Sequence, residues 1–195
     1  MAAEGHRDAA LLIVDLQRAI DDPRWAADGP RNNPDAEANI ARLLDAWRRA
    51  GGVLVHVRHD SAEPNSTYRP GGPGHAFKPE AVPLPGETVI PKQVQSAFVD
   101  PVLGETLDRA GTRRLVVCGV ITNNSVETTV RHAANLGYDV TLVEDACFTY
   151  AKRDWRGVLR SAEDVHAMSL ANLDGEYCRI VRTDEVLDAV SADGQ

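Results

Sequence analysis

The chain has 195 residues, 43% of them hydrophobic and 26% charged, enough to bury one full core. Its 29 acidic residues outnumber 21 Lys and Arg, and the resulting net charge of −8 argues against nucleic acid or an anionic membrane as a partner. No apolar run could span a bilayer, MAAEGHRDAA lacks the regions of a signal peptide, and three cysteines are an odd count for a disulfide framework, so a cytoplasmic chain with reduced thiols is expected.

Residues 9–14 form a short apolar run ended by Asp15, the pattern of a buried strand. Asn33-Pro34 reads as a helix opening, with Ile40, Leu43, Leu44 and Trp47 on one face and Gly51-Gly52 at the end. A second strand follows at 53–57. Residues 58–86 are a long irregular stretch rich in Pro and Gly, a length that usually carries function. A third strand is expected at 88–90, and Asp100-Pro101 opens a helix that Gly111 ends. The fourth strand spans 114–118. A helix then starts near Asn124-Ser125 and stops at Gly137. The fifth strand spans 139–144, a long helix 154–173, the sixth strand 179–181, and a last helix 183–190.

Strands alternating with helices imply right-handed crossovers and a parallel sheet covered on both faces. Ligands of such sheets bind beyond the strand C-termini. Asp15 follows strand one, Lys92 strand three and Ser125 strand four. Position alone puts the three on one edge of the sheet.

Four spaced motifs accompany them: IVDLQ at 13–17, IPKQVQSAF at 90–98, CGVITNNSVETTVRHAANLGY at 118–138, and EDAC at 144–147, with a later HAMSLANL at 166–173. Together they resemble the isochorismatase-like cysteine hydrolases over nearly the whole chain. The resemblance implies a three-layer α/β domain over 1–195, with a six-stranded parallel sheet in the order 3-2-1-4-5-6. It also implies hydrolysis of a small-molecule carbon–nitrogen bond. Asp15 would be general base and then acid, Lys92 its electrostatic partner, and residue 125 the nucleophile. The backbone amides of Ile121 and Ser125 would form the oxyanion hole, and Val120-Ile121 would be a cis peptide. No organic cofactor is implied. Family members form dimers or tetramers, so a homodimer or homotetramer is the expectation.

The sequence departs from the family at one decisive place. Ser125 stands where the family has its catalytic cysteine, and a hydroxyl is the poorer nucleophile near neutral pH. Two origins fit: a Cys-to-Ser variant that traps substrate, which the intact flanking pattern favours, or a natural homologue with altered chemistry. Two other functions stay open. One is vinyl-ether hydrolysis of the isochorismatase type, with Asp15 as acid. The other is a non-catalytic ligand-binding role.

Candidate substrate contacts are Ile20, Trp25, Phe98 and Tyr150, with Phe98 the leading one because SAF closely follows Lys92. Tyr68 and Trp155 also fall on active-edge loops. His56, His59, Asp60 and His75 raise the question of a metal, since nicotinamidases of this family bind one through Asp and His after strand two. The spacing here lacks that branch's Asp-x-His pattern, and no metal is expected. His166 reads as a packed, hydrogen-bonded residue. Cys118 and Cys178 read as structural, and Cys147 as a thiol near the active edge.

Overall fold

The computed structural model of the chain describes residues 8–192. Segments 1–7 and 193–195 lie outside the described residues, and with them most of the N-terminal stretch read for a signal peptide. β1 (Ala10–Val14) is five apolar residues, all buried, as a strand covered on both faces requires. α1 (Ala36–Ala50) buries Ile40, Leu43, Leu44 and Trp47, and Gly51 ends it in the left-handed conformation at φ 66°. The Trp47 indole N–H donates to the Ala9 carbonyl at 2.9 Å, so this face is seated on the start of β1. Each such large apolar side chain contributes about 1.5–3 kcal/mol on burial.

β2 (Leu54–His59) and β3 (Thr88–Lys92) follow. α2 (Val102–Ala110) is capped by Asp100, whose carboxylate accepts from the Val102 amide at 3.0 Å. Then come β4 (Arg114–Val120), α3 (Glu127–Asn135) and β5 (Asp139–Phe148). A two-stranded antiparallel hairpin, β6 (Lys152–Arg153) and β7 (Leu159–Arg160), precedes α4 (Ala162–Ala171), β8 (Arg179–Val181) and α5 (Thr183–Ala192). The main sheet has six parallel strands in the order β3-β2-β1-β4-β5-β8, with helices packed on it. This is the expected three-layer architecture, with β8 as the sixth strand. Among the described residues no helix is long and apolar enough to cross a membrane.

Two local expectations are corrected. Asn33 does not cap α1. It sits at φ 44°, and its side-chain amide donates to the carbonyls of Glu144 and Cys147 at 2.9 and 2.7 Å, tying the loop before α1 to β5. The long helix expected from residue 154 begins only at Ala162. The Asp154 carboxylate accepts from the amides of Arg156 and Val158, and Gly157 turns the chain at φ 81°, which makes a hairpin. Ser161 then caps α4 through the Asp164 amide at 3.1 Å.

β1 and β4 approach closely at Gly119. A Cβ built there would lie 2.2 Å from the Val14 carbonyl oxygen, and φ is 122°, so only glycine fits. The β4–β5 register shifts at this point, between Val117 and Gly119. The ends of β1 and β4 are thereby brought side by side, where the candidate residues lie.

Candidate active site

β1 ends at Asp15, whose φ of 53° turns the chain sharply off the sheet. The Gln17 amide closes this turn on the Asp15 carbonyl at 2.8 Å. The Gln17 side chain is fully buried. Its carboxamide oxygen accepts from the His59 amide at 2.7 Å, and its nitrogen donates to the carbonyls of His59 and His75 at 3.1 and 2.8 Å. One glutamine thus joins the ends of β1 and β2 to the long loop.

Lys92 closes β3 and lies 5% exposed. Its ammonium donates to Asp15 Oδ2 at 2.6 Å, to the Val94 carbonyl at 3.0 Å and to Ser125 Oγ at 3.3 Å. It also lies 3.4 Å from His59 Nδ1. An ammonium has only donors, so this contact favours the tautomer with the proton on Nε2. Burial and the neighbouring Lys92 charge push the His59 pKa down to about 4, so the ring is neutral at pH 7.

β4 runs into a cis Val120-Ile121 peptide and a π-type turn, Thr122–Val126, that leads straight into α3. Ser125 lies in this turn at the helix entry, and its side chain is buried. Motif residues of α4 anchor the turn. His166 Nδ1 meets Thr122 Oγ1 at 2.8 Å, and the Ser169 hydroxyl contacts both the Thr122 carbonyl and Glu127. His166 is therefore a packed residue, as expected. The EDAC motif has a similar scaffolding role, because Asp145 accepts from the amide and hydroxyl of Thr183 at the start of α5.

Burial raises the Asp15 pKa above the ordinary carboxylate value, and the Lys92 charge and Ser125 hydroxyl pull it down without offsetting that burial. Asp15 Oδ1 is buried and has no hydrogen-bond partner among the described residues. Above these groups is a cavity of about 200 Å³, lined by Asp15, Ser125, Ile121, Trp25, His59 and Tyr68, with Asn124, Ser66, Gln95 and Val120. A wider groove of about 880 Å³ lies between the hairpin and α4, and neither Asp15 nor Lys92 reaches it.

Of the four expected substrate contacts, the structure brings only Trp25 to this cavity. Phe98 packs inward on Tyr138 and His132, at ring distances of 5.2 and 6.0 Å, because Ser96 and Ala97 bond to His132 and Thr129 of α3. Tyr150 stands behind Trp25 at 6.4 Å, stacked, with its hydroxyl donating to the Ile20 carbonyl at 2.8 Å. Ile20 itself is fully buried in the core. Trp155 is 87% exposed on the hairpin. His59 and Tyr68, packed edge-to-face at 5.5 Å, form one wall of the cavity, with Tyr68 on an active-edge loop as expected. The HxxHD run did suggest a site there, for a different purpose.

Among the described residues no group of three or more His, Cys, Asp or Glu is placed to hold a metal. His56 turns away to Glu87 at 2.9 Å, and Asp60 is engaged by Arg58 and His75, both at 2.7 Å. All three cysteines are buried. Burial raises the Cys147 thiol pKa far above the ordinary value and that of Cys178 to about 12, so neither is poised as a thiolate.

The sequence profile of the isochorismatase domain matches residues 9–173. The chain belongs to the isochorismatase family. An isochorismatase family protein of Bacillus subtilis (strain 168), YrdC, is 37% identical over 179 residues, spanning 92% of this chain and 94% of that one. A structure of the isochorismatase family from Chromobacterium violaceum shares 57% identity at a TM-score of 0.91, covering 98% of this chain and all of the other. The streptothricin hydrolase of Streptomyces noursei is 38% identical over 144 residues, 72% of this chain but half of that protein. Isochorismatase family members are hydrolases, and those similar to this chain include the ureidoacrylate amidohydrolase RutB of Variovorax paradoxus, 31% identical over 71% of this chain and 68% of that one.

Proposed function

We propose that this isochorismatase-family hydrolase cleaves the carbon–nitrogen bond of a small amide or carbamoyl compound at the Asp15–Lys92–Ser125 cluster. The observation that carries the reading is Lys92, buried and in hydrogen-bond reach of both Asp15 (2.6 Å) and Ser125 (3.3 Å), two residues that line one cavity. In this mechanism the Asp15 carboxylate takes the proton of residue 125 as its side chain attacks the carbonyl carbon. The tetrahedral oxyanion is received by the amides of Ile121 and Ser125. The protonated Asp15 then gives its proton to the departing nitrogen. Water, deprotonated by Asp15, cleaves the acyl intermediate and frees the acid. Lys92 holds Asp15 in place and stabilises its charge. The relatives named as amidohydrolases support the reaction class.

With serine at 125 no imidazole bonds to the hydroxyl among the described residues, and its anionic form is negligible near pH 7. Acylation is then slow, and substrate persists. One observation favours a second reading. The raised Asp15 pKa equips it to donate a proton first, as protonation of a vinyl ether would require.

The test is Ser125→Cys, assayed for ammonia release on primary amides, ureas and carbamoyl compounds, with isochorismate as the competing substrate. Amide turnover that rises on introducing the thiol is the expected result. Amide rates no faster with cysteine than with serine would overturn the reading. Equal isochorismate turnover by both forms would favour the second one.

A further inference from the structure

The walls of the cavity say more about its occupant than the reaction class does. At about 200 Å³ it is smaller than the ~300–1,000 Å³ typical of sites for drug-sized ligands. One side is aromatic, with Trp25 and Tyr68 edge-to-face at 6.2 Å.

The polar lining is uncharged apart from Asp15. His59 faces Lys92 at 3.4 Å and is neutral at pH 7. Tyr68, Ser66, Gln95 and Asn124 offer neutral donors and acceptors. No cation is among the residues that line the cavity, and Lys92, which reaches the lining Asp15, is paired with it. Nearby Arg24 and Arg58 are held in forks by Asp22 and Asp60. A carboxylate entering the cavity would lose its hydration, meet the Asp15 charge and find no cation in the lining. A carboxamide of the same shape would find acceptors and donors for both its ends.

We infer that the cavity selects a small, uncharged amide or ureide and rejects the isosteric compound that carries a carboxylate. The inference rests on the amidohydrolase reading and adds a charge and size rule to it. It also sets this chain apart from any relative that acts on ureidoacrylate, which is an anion.

Two matched pairs isolate the charge: malonamide against malonamate, and N-carbamoylglycinamide against N-carbamoylglycine. Each pair differs by one amide replaced with a carboxylate. The Ser125→Cys form and the chain as it stands are assayed for ammonia release across both. The expected result is a preference for the neutral member of at least about 100-fold in kcat/KM, since a buried charge without a partner is rejected steeply. N-benzoylglycinamide, neutral but too large for the cavity, should be as poor a substrate as the anions. Gln95→Arg, which adds a cation at the rim, should shift the ratio toward malonamate by about tenfold or more. Turnover of malonamate within tenfold of malonamide, or free turnover of N-benzoylglycinamide, would overturn the inference and leave the amidohydrolase reading intact. Silence from both forms on every amide would overturn that reading and the inference with it.

Discussion

Replacing Lys92 with Met tests the energetics at the centre of the site. The ammonium is 2.6 Å from Asp15 Oδ2, and both side chains are at most 5% exposed. The other oxygen, Oδ1, has no hydrogen-bond partner among the described residues. Lys92→Met therefore leaves a buried carboxylate with only the Ser125 hydroxyl beside it. Removing one partner of such a pair costs about 3–5 kcal/mol. For a domain of this length that is on the order of 10 °C in Tm. Asp15 can limit the loss by taking a proton, and the sign follows from its raised pKa. A carboxyl that binds its proton more tightly folded than unfolded loses stability as pH rises from the unfolded value toward the folded one. Losing the Lys92 cation pushes the folded value higher still. The deficit of the Met variant should therefore be small near pH 4 and full near pH 8. Adding Asp15→Asn removes the buried charge and should recover most of the loss. Urea denaturation of the parent, the single variant and the double variant at both pH values measures this. A Met variant within 1 kcal/mol of the parent at pH 8, or a double variant no more stable than the single, would refute the argument.

Two further predictions concern groups around the cluster. Gly119→Ala should cost about 3 kcal/mol or more in urea denaturation, because the added Cβ meets the Val14 backbone at 2.2 Å and the φ of 122° is one L-residues avoid; a loss below 1 kcal/mol would show that the β1–β4 contact is slack. His59, with its pKa near 4, should show no ring-proton chemical-shift titration by NMR between pH 5.5 and 8; a midpoint near 6.5 would contradict its contact with Lys92.

The architecture was legible because its signals are local. Five buried apolar residues before Asp15, and Gly51, Gly111 and Gly137 at positive φ after their helices, each specify an element without tertiary help. The alternation of strands and helices then brings Asp15, Lys92 and Ser125 to one edge by topology alone. The errors arose where a residue chose between two partners. Asn33 and Asp154 are good helix caps by type, yet one bonds to β5 across more than a hundred residues and the other caps a hairpin turn. Phe98 was placed by its nearness to Lys92, but the Ser96–His132 contact turns its ring to the core. The wall formed by His59 and Tyr68 needs a loop of no regular pattern to fold back on β1, and no spacing rule announces that.

β3 is an outer strand of the sheet, hydrogen-bonded on one side only, and it carries Pro91 immediately before Lys92. Proline has no N–H, so this rim offers an incomplete template for another chain to zip onto. The same placement makes the lysine the member of the cluster with the loosest foundation, since outer strands open locally at a lower free energy than central ones. Fraying of that rim would withdraw the ammonium while β1 and β4, deep in the sheet, keep Asp15 and Ser125 where they are. Under the proposed mechanism such an opening, which also forfeits the Lys92–Asp15 pairing, should lower activity before the central strands separate.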